Sequence, residues 1–307
     1  MKKIFYVAFL LFCSNLVFGQ NKLANAIYSL KQNKLDKAKE LIDAASEDSL
    51  FDKKASTWYF KGFVYKDLFK RDERSDKESD FRESSIEYFK KSILLEKEGP
   101  YTQGCINAIK FFAETFYNQA ALSANPTDYP IAISSFARYK KLISSVIPDT
   151  DFTEKNMNFS LALATTYSKI ASVDTNNAFV YLDKAIELYK KALILDSNNF
   201  SANYNVGIIY YNKGVEIVDK MDFDLDLIEL TMMQDQLFEI FRTSLPYMKK
   251  AHDLNPNRRE TLTGLQGIYY SMNDAAQSEL FKKKIEALDR KPDGDDTQQI
   301  DSLKNNN

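Results

Sequence analysis

Apolar and small residues recur at helical spacing through most of this chain. The stretch "YLDKAIELYKKALILDSNN" shows the pattern clearly, because Ala185, Tyr189 and Ala192 follow one another at steps of four and three residues. Such steps place three side chains on one face of an α-helix. An aromatic residue with a small residue on either side predicts a helix that packs closely against a neighbour.

A second helix is predicted shortly afterwards, in "NYNVGIIYYNKG". Val206, Gly207 and Tyr210 share one face at helical spacing. A lone glycine on an apolar face lets two helix backbones approach, and we interpret Gly207 in this way. Gly214 is predicted to end the helix, since glycine is favoured just past a helix C-terminus. The two stretches together predict a helix pair.

The same series appears elsewhere in the chain. In "WYFKGFVY", Trp58, Gly62 and Tyr65 have the offsets of Asn203, Gly207 and Tyr210. Other residues at matching positions are Ala38, Ile42, Ala45, Ser85, Phe89, Ser92, Ala132, Phe136, Leu163, Ala164, Tyr167, Ser244, Met248, Ala251, Pro256, Leu262, Leu265 and Tyr269. This recurrence favours repeated helix pairs over the alternative, a non-repeat helical bundle.

The series resembles the tetratricopeptide repeat (TPR), a family with a period of 34 residues. Lys61 and Ser197 depart from it, because the family usually has Leu and Pro there. The resemblance implies an all-α, TPR-like α-solenoid of about six antiparallel helix pairs. It places the repeat domain at residues 20–290.

Two segments depart from the expected spacing. Ala185 and Ser244 occupy matching positions but lie 59 residues apart, so about 25 residues are inserted relative to the 34-residue period. The insert is apolar and periodic, which predicts elongated helices in the fifth pair. Residues 70–82 are charged and poor in apolar side chains, which predicts a solvated loop or a polar helix extension.

The resemblance also implies a binding surface, because the first helices of stacked pairs line the concave side of such arrays. Side chains on these helices that face away from the predicted core are candidates for binding a partner segment. They are Tyr59, Phe63, Lys66, Tyr204, Asn205, Ile208, Tyr211, Asn212, Thr263 and Tyr270. Aromatic and amide groups suit this task, since they bury area and keep a polar group. Coverage by the neighbouring pair or by the insert is the alternative.

Both ends of the chain differ from the repeats. Residues 1–19 read as a secretory signal peptide, with Lys2 and Lys3 before a short apolar stretch and Gly19 at the expected cleavage site. An uncleaved anchor helix and lipid attachment at Cys13 are the alternatives. Residues 291–307 are polar without apolar periodicity, which predicts a disordered tail.

Composition and motifs argue against several kinds of chemistry. The chain has 41 basic and 43 acidic residues, so no broad basic surface favours nucleic acid. A phosphate loop, an HExxH motif and clustered metal ligands are absent from the sequence. Cys105 is expected to be buried, His252 to be solvated, and the acidic group at residues 222–226 to cap a helix or form a loop. We therefore predict no enzyme activity, cofactor, metal or small-molecule ligand.

The function that these features favour is protein binding. We expect an exported, non-enzymatic interaction module that binds a partner protein or peptide in the bacterial periplasm or at the cell envelope, with no membrane span in the mature chain. The alternative is a structural or assembly subunit of an envelope complex, using the convex face and the long insert. An enzyme is a third reading, which no residue constellation supports.

Overall fold

The computed structural model describes residues 22–221 and 226–290. The predicted signal peptide and polar tail, residues 1–19 and 291–307, lie outside the described residues. Within them, every regular element is helical, and twelve α-helices follow one another with short connections. The prediction of an all-α fold built from about six antiparallel helix pairs is confirmed.

The helices fall into two compact units. The first unit extends to Ser123 and includes residues 130–151, and the second comprises residues 124–129 and the chain from Phe152 onward. The helices of the first unit are α1 (22–31), α2 (Leu35–Ser46), α3 (Ala55–Leu68), α4 (Asp80–Leu95), α5 (Thr102–Leu122) and α6 (Tyr129–Val146). Those of the second are α7 (Thr153–Val173), α8 (Ala178–Leu195), α9 (Phe200–Asp219), α10 (Leu227–Leu254), α11 (Arg259–Ser271) and α12 (Ala275–Asp289).

Apolar faces of successive helices form the cores of each unit. In the first unit, one cluster joins α1, α2 and α3, and includes Ile42 and Tyr65. In the second, one cluster joins α7, α8 and α9, and includes Tyr189 and Val206. A further cluster joins α10, α11 and α12, and includes Met248. Each helix thus buries one stripe of its surface, as the spacing predicts.

A hydrogen bond between paired helices recurs in three pairs. Ser85 Oγ donates to the carbonyl oxygen of Gly62 at 2.7 Å, and Ser244 Oγ donates to that of Gly207 at 2.7 Å. Ser278 Oγ donates to the carbonyl of Gln266 at 3.2 Å. The serine on the second helix of each pair therefore has two roles. Its small size lets the two helix backbones approach, and its hydroxyl forms a hydrogen bond between the helices where water is excluded.

The fifth pair is elongated, as predicted, with 20 residues in α9 and 28 in α10. The prediction that Gly214 ends the first of these helices is wrong, because α9 continues to Asp219. Gly214 instead packs under Phe241, whose Cε1 would lie 2.6 Å from an added Cβ. Asp226 caps α10 in a capping box with Glu229, which agrees with a capping role for the acidic group. Residues 222–225 lie outside the described residues.

The charged segment at residues 70–82 is solvated only in part. Its first residues, up to Glu73, extend α3 as a π-helical turn that begins at Phe69. The expectation of a solvated segment is wrong at its far end, because Arg82 is buried. Its guanidinium Cζ lies 4.0 Å from the ring centroid of Phe116. Two of its nitrogens donate to Gln119 Oε1 at 2.9 Å and to the carbonyl oxygen of Lys77 at 2.7 Å. A buried cation is tolerated here because aromatic and hydrogen-bonding groups replace water.

Candidate partner-binding surface

In the first unit, the candidate residues Tyr59, Phe63 and Lys66 lie along α3 and are half-buried. The ring centroid of Tyr59 is 4.8 Å from those of Phe63 and Tyr101. Lys66 Nζ lies 4.9 Å from the ring centroids of Phe63 and Phe111. Burial raises the pKa of Tyr59 and lowers that of Lys66. Residues at the start of α5 and along it therefore cover part of this face.

In the second unit, the α9 candidates Tyr204, Ile208 and Tyr211 pack against the cluster of α10, α11 and α12. Tyr204 lies beside Arg258, whose Cζ is 4.9 Å from its ring centroid. The hydroxyl oxygen of Tyr211 would be 2.3 Å from a Cβ added to Gly267, so any larger residue there would displace the tyrosine ring. Burial raises the pKa of both tyrosines. These side chains thus hold α9 against α11 and present only part of their surface to a partner.

The remaining candidates are more accessible. Asn205 is half-buried, and its Nδ2 donates to the carbonyl oxygen of Ser201 at 2.8 Å, which fixes the amide on its own helix. Asn212 on α9 and Thr263 and Tyr270 on α11 are exposed, and 78% of the Tyr270 side-chain area is open to solvent. We name the set of all α9 and α11 candidates, Tyr204, Asn205, Ile208, Tyr211, Asn212, Thr263 and Tyr270, the first-helix face. Its role in binding stays a prediction.

A groove beside the elongated pair was not predicted from the sequence. It encloses 770 Å³ between the first half of α10 and the turn that joins α11 to α12. Phe238 and Phe241 line one side, while Tyr270 and Met272 line the other. The apolar period of the insert indicated a helix face, but only the packing reveals that α10 leaves part of that face uncovered.

Cys105 and His252, the two residues with nucleophilic or basic side chains that the sequence analysis considered, are both at least partly buried. Cys105 is buried, as expected, and burial raises the pKa of its thiol, which favours the protonated and weakly nucleophilic form. The expectation of a solvated His252 is wrong, because the ring is half-buried and packs edge-on against Phe281 at 5.4 Å. Burial and the nearby Lys284 lower the pKa of His252.

Among residues 22–221 and 226–290, no cluster of three or more His, Cys, Asp or Glu side chains could hold a metal ion.

Comparison with known proteins agrees with the repeat geometry. The family model described as TPR repeat matches residues 182–214, which span most of α8 and the first part of α9. This match identifies one TPR repeat within the chain. Curated proteins give no match. Of the helices that the structure describes, none combines the length and the apolar character that a bilayer crossing requires.

Three of the solved structures that this chain matches are described by their identity, coverage and TM-score. PilF of Pseudomonas aeruginosa is 11% identical, with a TM-score of 0.33, over 88% of this chain and 91% of its own. MamA (MSR-1 C2) is 13% identical, with a TM-score of 0.28, over 89% of this chain and 97% of its own. YrrB, a TPR protein with an unusual peptide-binding site, is 18% identical, with a TM-score of 0.24, over 79% of this chain and 89% of its own.

Proposed function

We propose that this chain is an exported, non-enzymatic interaction module that binds a partner protein or peptide segment through the first-helix face. The observation that carries the proposal is the arrangement on α9 and α11, where half-buried tyrosines lie beside the exposed Asn212, Thr263 and Tyr270. Rigid aromatic groups next to accessible polar groups are typical of protein-binding surfaces. The TPR repeat match supports the same class of function.

A second candidate is an assembly subunit that makes permanent contacts through the elongated pair. The observation in its favour is the large apolar area that α10 exposes near its N-terminus, including Leu227 and Ile228. Obligate interfaces are more apolar than transient ones. Such a subunit copurifies with a stable complex, whereas an interaction module purifies alone and takes up its partner when that is supplied.

The first-helix face can be blocked without disturbing the packed tyrosines. Replacing Asn212 and Thr263 by arginine places two long cations on exposed helical positions, where arginine is a good helix former. We expect the double variant to retain the wild-type helical content and to recover about tenfold less partner on copurification from the native envelope, since bulk and charge then obstruct the surface. The Leu94→Arg variant, at an exposed position of α4, is the matched control.

Partner recovery that is equal for the double variant, the control and the wild type would place binding away from the first-helix face. Loss of helical content in the double variant would show that these positions are structural.

Export is expected to remove the N-terminal segment after Gly19. The reason is the charged start followed by an apolar stretch too short to span a bilayer comfortably. Mass spectrometry of the chain from its native host tests this, and the expected mature N-terminus is Gln20. A chain that begins at Met1, or at a lipid-modified Cys13, rules out this form of export.

A further inference from the structure

The first half of α10 is a helical segment without a buried side chain. Residues 227–240, which we name the α10 arm, are exposed or half-buried throughout, and Phe241 is the first buried residue after them. Leu227, Ile228 and Met232 expose 79%, 72% and 69% of their surface. Contiguous exposed apolar residues of this kind mark interaction sites in soluble proteins.

The C-terminal part of the α10 arm, from Gln234 onward, forms one wall of the 770 Å³ groove described above. Gln234, Phe238 and Phe241 lie at steps of four and three, so they face the groove from one side of the helix. Val218 and Leu237 line its apolar interior. The lining on α10 runs from Gln234 to Phe241, which at 1.5 Å per residue is about 12 Å, or about two turns of a bound helix. The groove therefore has the length and lining of a helix-binding site.

The arm is also acidic. Residues 227–240 contain three acidic side chains, Glu229, Asp235 and Glu239, and no basic side chain. Arg242 is paired with Glu239 of the same helix at 2.6 Å. Asp235 lines the groove and makes no ion pair with any residue that the structure describes. The rim thus lacks a compensating cation, which a basic partner would supply.

We propose that this groove binds an amphipathic helix of a partner protein, with the helix's apolar stripe against Phe238 and Tyr270 and its Lys or Arg side chains beside Asp235. The inference goes beyond the proposed function, because the groove is a second surface that shares only Tyr270 with the first-helix face. It assigns the apolar lining of the groove to one occupant, because that lining and the carboxylate of Asp235 occur together there.

Two synthetic peptides test this on the full mature chain. One is a fluorescein-labelled 18-residue helix of Leu and Lys, with Leu at i, i+3, i+4 and i+7, and the other has Glu in place of every Lys. We expect the Lys peptide to bind at least about tenfold more tightly by fluorescence anisotropy, and to weaken as salt is raised. Equal binding of both peptides, or of neither, overturns the proposal.

Two double variants distinguish binding in the groove from nonspecific hydrophobic binding elsewhere on the surface. Tyr270→Ala with Phe238→Ala removes exposed apolar groups from the groove, and Tyr28→Ala with Leu195→Ala removes comparably exposed groups elsewhere. We expect the first pair to weaken the Lys peptide about tenfold or more and the second to leave its affinity unchanged. Affinity that is equal in both double variants overturns the proposal.

A charge reversal isolates the electrostatic part. Asp235→Lys is expected to weaken the Lys peptide about fivefold or more, while Glu98→Lys, at an exposed acid of the first unit, leaves it within twofold. Equal effects of the two reversals would mean that the peptide is attracted by the net charge of the whole protein, and would overturn the proposal of a site in the groove.

The two proposals can fail separately. If Asn212→Arg with Thr263→Arg abolishes partner capture but neither peptide binds, this inference fails and the proposed function stands.

Discussion

Replacing Asp43 by alanine is expected to lower the free energy of unfolding by about 3 kcal/mol or more, since removing one partner strands a buried charge. Asp43 Oδ1 lies 3.0 Å from Lys61 Nζ and accepts from the Tyr65 hydroxyl at 3.0 Å. The Lys61 side chain is 10% exposed and also donates to Ser46 Oγ at 2.8 Å. Without the carboxylate, the ammonium group retains a neutral hydroxyl and the ring of Tyr88, whose centroid is 4.7 Å away, in a site that water barely reaches.

The matched variants are Lys61→Leu and the double variant Asp43→Ala with Lys61→Leu. Lys61→Leu should lower the free energy of unfolding less than Asp43→Ala does, because Asp43 keeps its ion pair with Lys39 at 2.8 Å and is 26% exposed. The double variant should regain most of the free energy of unfolding that Asp43→Ala loses, since leucine is the residue that the TPR pattern usually has at this position. Urea denaturation followed by circular dichroism, with amide exchange of α2 and α3, measures this. A double variant no more stable than Asp43→Ala would contradict the assignment.

The same cluster predicts a dependence on pH. Burial raises the pKa of Asp43, but hydrogen bonds from Lys39 and Lys61 outweigh it and hold the pKa below the ordinary value of 3.8. A carboxyl whose pKa is lower in the folded state stabilises the fold fully above its unfolded pKa, and this stabilisation is lost as pH falls through the folded pKa. Below pH 3.8, the stability of the wild type should therefore fall relative to the double variant, and a constant difference would refute the role of Asp43.

Replacing Gly207 by leucine is expected to lower the free energy of unfolding by about 3 kcal/mol, at the upper end of the usual cost of overpacking. A Cβ at this position would lie 3.1 Å from the backbone nitrogen of Met248 and 3.2 Å from its Cε. Met248 is fully buried, and the bond from Ser244 Oγ to the Gly207 carbonyl holds α9 and α10 at this separation. The helices must move apart to admit a larger residue.

Asn212→Leu is the control for Gly207→Leu, because it introduces the same side chain at an exposed position of the same helix. Thermal denaturation followed by circular dichroism compares the two variants. We expect a melting temperature several degrees lower for Gly207→Leu and little change for Asn212→Leu. Equal melting temperatures would mean that α9 and α10 do not depend on the close approach at Gly207.

Much of the local architecture could be predicted because the relevant information lies within short stretches. Steps of three and four residues define a helix face directly, so the buried positions of Ala185, Tyr189 and Val206 follow from spacing alone. Gly207 could be assigned to a close contact for the same reason. Gly214 could not be distinguished from a helix end, because its role depends on Phe241, which lies 27 residues later.

The candidate binding surface was harder to predict. Periodicity identified the sides of α3 and α9 that do not face their own pair, but not how much of them the next pair covers. Tyr211 is partly buried because Gly267, distant in sequence, leaves room for its hydroxyl. The free side of the α10 arm appears only when the length of α10 is compared with the helices packed beside it.

The sequence by itself determined the all-α class, the helix pairs and the elongation of the fifth pair, because these depend on the order of apolar and small residues along each helix. Only the tertiary structure decided which polar groups are buried and which apolar groups stay exposed. Lys61 and Arg82 are buried because Asp43 and Phe116 come from other helices, and Tyr270 stays exposed because no helix that the structure describes lies over it. Burial depends on partners distant in the chain, which a local pattern does not specify.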